Sequence, residues 1–146
     1  MRIREAIHAD LPDVLALMRE LNPDDPPLDG ARAAQRWDQL LAQPGAAVYV
    51  AEVDGMLAAS CTVCVIPNLT RDGRPYALIE NVVTLASHRR RGLGRAVLGA
   101  ACGFAWRADC YKIMLSTSAR TPGVLAFYRD CGFRDDIKTA FVATPV

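Results

Sequence analysis

Apolar and polar positions change their rhythm several times along this chain, and each rhythm predicts an element. Arg2 to Ile7 alternates and predicts a short first strand. Leu11, Val14, Leu17, Met18 and Leu21 then fall at helical spacing, so a helix buries one face. Asp10 is placed to cap that helix, Pro12 is tolerated in its first turn, and Asn22-Pro23 stops it. Asn22 to Gly30 holds three prolines and three aspartates and reads as a loop. A second helix is expected from Ala31 to Ala42, with Ala34, Trp37, Leu40 and Leu41 on its apolar face, ended by Pro44-Gly45.

The rhythm then becomes that of a sheet. Ala46 to Val53 and Met56 to Ile66 are strands joined by Asp54-Gly55, a two-residue hairpin signal. A polar connection from Pro67 to Pro75 leads to a third strand, Ala77 to Leu85. Helical spacing returns from Gly92 to Arg107, burying Leu93, Val97, Leu98, Ala101, Phe104 and Ala105. Tyr111 to Thr117 is the next strand. A strand–helix–strand unit of this length favours parallel pairing of 77–85 with 111–117 through a right-handed crossover. Thr121-Pro122 opens a last helix, with Val124, Phe127, Tyr128 and Cys131 on one stripe and Gly132 closing it. Thr139 to Thr144 is expected as a final edge strand. The pattern is that of one α/β domain spanning residues 1–146, its sheet antiparallel at first and parallel at one central pair.

Composition narrows the classes. With 146 residues, 51% hydrophobic and 23% charged, the chain can bury a full core. A net charge of +1 disfavours a protein held to nucleic acid through phosphates, so none is expected as a partner. The N-terminus is charged throughout, unlike a signal peptide, and no apolar run is long enough for a membrane span. Five cysteines, an odd number with three in apolar periodic segments, fit reduced thiols in a cytoplasmic protein.

Against that nearly neutral background, Arg89-Arg90-Arg91-Gly92-Leu93-Gly94 is a local concentration of charge and glycine. It follows an apolar strand and opens a helix. The first N–H groups of a helix lack partners within it, and the helix dipole adds about half a positive charge there. Strand, basic glycine loop and helix together point to a phosphate-bearing ligand.

These residues resemble the GCN5-related N-acetyltransferase (GNAT) superfamily. Its motif Arg/Gln-x-x-Gly-x-Gly/Ala matches Arg89 to Gly94, with Ile79-Glu80-Asn81-Val82-Val83 before it. A second signature, Phe-Tyr-x-x-x-Gly-Phe, matches Phe127 to Phe133. The resemblance covers nearly the whole chain. It departs from the family at Thr84, Ala86 and Thr121, where Val, Pro and Asn are frequent. It implies the GNAT fold, an α/β architecture with a mixed central sheet of six to seven strands. That sheet is mostly antiparallel, has one central parallel pair and is flanked by four helices.

The resemblance also implies a chemistry. The co-substrate is acetyl-coenzyme A, with no metal. Its pyrophosphate is expected on Arg89, Arg90, Arg91, Gly92, Leu93, Gly94 and Arg95, where guanidinium matches phosphate geometry. Its pantetheine is expected along the backbone of Val82, Val83 and Thr84 as an added strand, with a bulge near Val82-Val83. The implied reaction is direct transfer to a primary amine of a small molecule or a protein. Such an amine, of pKa ~10, must lose a proton first. Glu80 is the candidate base, and Tyr128 the candidate acid for the departing thiolate.

Plainer readings stand beside these. Glu80 could pair with a nearby arginine, and Tyr128 could be a packed core residue. Cys61-x-x-Cys64 has metal or redox spacing, but three residues along a strand put the two on opposite faces. Cys131, a candidate for a ping-pong route, has no histidine near it in sequence. Asp24, Asp25 and Asp29 could attract a cationic amine, and Arg71 and Arg74 an anionic group on it. An amino sugar is one acceptor option, because short pieces around Glu80 and Tyr111 resemble glucosamine-phosphate acetyltransferases. The competing function is a non-catalytic acyl-CoA-binding or sensing module on the same fold. A nucleotide-binding role finds no Gly-Lys-Ser/Thr loop. The edge strand at 139–144 would permit a homodimer.

Overall fold

The computed structural model describes residues 1–146 in two compact units, Met1–Met114 and Leu115–Val146. The first contains β1 (Arg2–Glu5), α1 (Leu11–Leu21), α2 (Gly30–Ala42), β2 (Ala46–Val53), β3 (Met56–Ile66), β4 (Tyr76–Thr84), α3 (Leu93–Arg107) and β5 (Ile113–Met114). The second carries α4 (Pro122–Asp130). The strands lie in the order β1-β2-β3-β4-β5. Neighbours are antiparallel except β4 and β5, which are parallel as expected from the α3 crossover.

Local chemistry explains the meander. Asp54 and Gly55 both adopt positive φ (51° and 78°), as a type I′ turn requires, so β2 and β3 pair closely. Alternation then divides the sheet into two faces. Tyr49 and Cys61 face α3: the Tyr49 ring meets Phe104 edge-on, and Cys61 Sγ lies 3.3 Å from the Val97 carbonyl. Val48, Val50, Leu57 and Val83 face the other way and pack with Val14, Leu17 and Trp37 of α1 and α2. Each such fully buried aliphatic side chain contributes about 1.5–3 kcal/mol.

The structure corrects the expectation in several places. The sheet has five strands, not six to seven. Residues 139–144 make no ladder, and Phe141 is 93% exposed. Alternating apolar residues favour a strand only where a neighbour supplies N–H and C=O groups. The strand expected over 111–117 is reduced to Ile113–Met114, because β4 pairs with it only at Ala77 and Leu78. Three residues beyond Leu78, β4 bulges, and a bulged strand bends. In α2 the buried small residue is Ala33 rather than Ala34, four positions before Trp37. Asp10 does not cap α1. It ends a 3₁₀ turn with helical dihedrals, and its carboxylate accepts from the Ile7 N–H (2.8 Å) and from Arg4 (2.7 and 2.9 Å). The Arg4 guanidinium holds the Asp10 carboxyl below the usual range.

Candidate active site

The site begins as an irregularity in β4. Thr62 is opposite Glu80, and Ser60 is opposite Val83, so Cys61 faces two residues, Asn81 and Val82. This is a β-bulge, one residue earlier than expected. Asn81 carries φ 53°, a left-handed conformation that asparagine tolerates because its short amide can bond locally. The bulge takes the Asn81-Val82 peptide out of the ladder with β3. The β5 ladder has ended at Leu78. The backbone from Asn81 to Val82 is therefore available to a ligand. Glu80 is exposed and, as the cross-strand partner of Thr62, lies on the α1/α2 face.

Past Thr84 the chain turns sharply into α3. Glu20 of α1 organises this turn: its carboxylate accepts from the Ala86 N–H at 2.9 Å and pairs with Arg89 at 3.6 Å. Arg89 also donates to the Thr84 carbonyl at 3.3 Å, so it ties the loop to the end of β4. Arg90 (φ 61°) and Gly92 (φ 79°) reverse the chain. Gly92 is the N-cap, with no side chain bonded across it, and a Cβ there would meet nothing within 4 Å. The first helical bond runs from Ala96 N–H to Gly92 C=O (3.0 Å), so Leu93 and Gly94 N–H groups have no intrahelical acceptor. Buried Leu93 anchors the turn while Arg90, Arg91 and Arg95 are exposed. An open cap, free N–H groups, the dipole and guanidinium groups fit a diphosphate.

In the C-terminal unit, the Phe-Tyr-x-x-x-Gly-Phe spacing has a structural cause. Gly132 adopts φ 93° and donates to the Arg129 carbonyl (2.9 Å), while Phe133 donates to the Tyr128 carbonyl (3.1 Å). This is a Schellman C-cap, which needs a residue of free conformation at C′ and an apolar contact behind it. Phe133 supplies that contact, its ring 6.3 Å from Tyr128 and nearly perpendicular; Phe127 lies 5.1 Å away on the other side. The glycine and both phenylalanines thus hold the Tyr128 ring, half-buried, in one orientation.

Other candidates serve the fold. Burial pushes the Cys61 thiol up to about 12, far from a reactive thiolate, and its side chain faces α3. Asp29 caps α2, accepting from the Arg32 N–H at 3.1 Å. Arg74 is bound to the carbonyls of Asp109 and Cys110, and Arg71 lies over the Tyr111 ring. Sequence reasoning missed Glu20, whose partners are more than sixty positions away, and Asn81. An asparagine interrupting a β-branched run was the visible signal for the bulge.

The comparisons with known proteins fall on these same features. The model of the acetyltransferase (GNAT) family matches residues 14–133, from the middle of α1 to Phe133. The chain belongs to the GNAT acetyltransferase family. A glucosamine 6-phosphate N-acetyltransferase of Trypanosoma brucei brucei is 32% identical over 92% of this chain and 89% of its own length. Glucosamine 6-phosphate N-acetyltransferase 1 of Oryza sativa subsp. japonica is 36% identical over 90% of this chain and 80% of its own. A solved structure of a putative acetyltransferase from Agrobacterium tumefaciens str. C58 superposes with a TM-score of 0.95, at 46% identity over 99% of this chain and all of that one. The protein is an N-acetyltransferase of the family that uses acetyl-CoA. In this GNAT acetyltransferase the extended β4, its bulge and the glycine loop follow one another in chain order. No helix is long and apolar enough to cross a membrane.

Proposed function

We propose that this GNAT acetyltransferase is a single domain that transfers acetyl directly from acetyl-CoA to a primary amine of a small molecule, with Glu80 as base and Tyr128 as acid. Acetyl-CoA supplies the activated acyl group. The chain's own groups do the rest. Val82, Val83 and Thr84 offer extended backbone. Arg90, Arg91 and Arg95, with the N–H groups from Gly92 to Gly94, face the diphosphate, and Arg89 holds the loop to Glu20 and Thr84. Glu80 Oε takes the proton of the ammonium, and Tyr128 Oη returns one to sulfur. The N–H groups freed at the bulge face the developing negative oxygen. No resident metal is assigned a role.

The observation that carries the reading is the bulge at Asn81-Val82 immediately after Glu80, upstream of an open helix N-terminus. The curated relatives are named for glucosamine 6-phosphate, so that amine belongs in any screen. The odd number of cysteines favours a cytoplasmic site of action. A homodimer belongs to the same reading, with segment 139–144 and its exposed Phe141 and Val142 as the part a second copy would pair. The test is thiol release from acetyl-CoA across a panel of amines. Turnover should appear with at least one amine and fall about 100-fold in Tyr128→Phe, with coenzyme A binding kept. Coenzyme A binding without turnover on any amine would favour the sensing module instead.

A further inference from the structure

The sheet face under α1 and α2 contains an open-sided chamber of about 170 Å³. Its walls are apolar: Leu11, Leu15 and Met18 from α1, Leu28 from the connecting loop, and Trp37 and Leu40 from α2. Its floor is polar, made by Ser60 and Thr62 of β3 and Asn81 of the bulge. Ser60 is 1% exposed, and its hydroxyl has no hydrogen-bond partner within the protein. A buried hydroxyl left alone costs free energy, so native structures give it a partner or a ligand. Ser60 lies between Val50 and Val83, where a valine would pack without that cost. Leu28 is the apolar member of an otherwise acidic and proline-rich loop, yet it is 49% exposed at the rim. An apolar cavity of about 150 Å³ accepts a benzene ring. The one cation at the chamber is Arg36, exposed and bonded to Gln39 at 2.7 Å.

We propose that this chamber is the specificity pocket for the acceptor. It seats an uncharged apolar body about the size of one six-membered ring, with Thr62 and Asn81 as the polar part of its lining. This rests on the acetyltransferase reading, and it names the substrate class. Thr62 is the cross-strand neighbour of Glu80, and Asn81 follows Glu80 directly, so an amine leaving the chamber along β4 reaches the proposed base. The chamber walls offer no buried cation to a sugar phosphate.

The experiment compares phenethylamine with glucosamine 6-phosphate as acceptors. Phenethylamine should be favoured about tenfold or more in kcat/KM, in keeping with what an apolar pocket discriminates. Leu15→Trp fills the chamber from its α1 wall, and Leu28→Asp charges its exposed rim without touching the core. Each should raise the phenethylamine KM about tenfold and leave coenzyme A affinity within about twofold. Saturation-transfer NMR of phenethylamine on the protein alone should show contact with the wild type and lose it in both variants. Equal or better use of glucosamine 6-phosphate, or a phenethylamine KM and NMR signal unmoved by both variants, would overturn the proposal. If no amine is acetylated, the transfer reading fails by itself, and the NMR result alone decides the chamber.

Discussion

The two ends of β4 carry similar side chains on very different backbones. At the Tyr76 end, the ladders to β3 and β5 are regular. The cations there have partners: Arg71 and Lys112 lie 5.5 and 5.2 Å from the Tyr111 ring centre, and Arg74 bonds the Asp109 and Cys110 carbonyls. At the Thr84 end the strand bulges, the β5 ladder has stopped, and the chain passes through two positive-φ residues into an open helix N-terminus. Both ends are rich in arginine. Only the second offers unpaired backbone N–H groups beside it. Charge attracts an anion, but the aligned donors fix where it sits.

The comparison can be tested along the strand. The largest effect is expected at the bulge: Glu80→Gln should lower kcat about 100-fold, with coenzyme A binding and folding unchanged. Full activity in that variant would assign Glu80 to the surface. Next, Arg90→Ala with Arg91→Ala should weaken coenzyme A binding about tenfold by calorimetry, as expected for lost charge-assisted bonds. Arg71→Ala, at the other end, should stay within about twofold, and equal losses at both ends would mean that charge alone sets affinity. Asn81→Val places a β-branched residue at φ 53° and should cost about 1–2 kcal/mol in urea unfolding, whereas Asn81→Gly should not.

The smallest effect belongs to an arginine at neither end. Arg4 lowers the Asp10 pKa from its ordinary 3.8. A depressed folded-state pKa stabilises the protein above the unfolded value, and that contribution is lost as pH falls through the folded value. The urea midpoint should therefore hold from pH 7 to about 5 as far as this pair is concerned and decline below about 4. Arg4→Met should flatten that acid limb, and an unchanged limb would place the sensitivity elsewhere.

Much of this was legible from local pattern. The spans of β2 and β3, the Asp54-Gly55 hairpin and the crossover through α3 follow from period-2 runs, a turn dipeptide and helical spacing. The glycine loop and the Phe127 to Phe133 signature were also visible, because helix starts and C-caps are encoded within a few residues. What was missed depends on neighbours. Asp10 looked like a cap until Arg4 claimed its carboxylate. Segment 139–144 looked like a strand and has no ladder. Nothing local marks Ser60, whose hydroxyl is buried with no hydrogen-bond partner within the protein.

The amino-acid sequence by itself determined the order of elements as far as α4, the family and the glycine-bearing loop that opens α3, because each is written in contiguous residues whose conformational preferences act locally. The tertiary structure decided where β4 breaks its ladder, which arginines are already paired and which chamber lies beside Glu80. Those outcomes depend on groups distant in the chain, such as Glu20 against Arg89, or Trp37 and Ser60 lining one chamber. No local preference counts such partners.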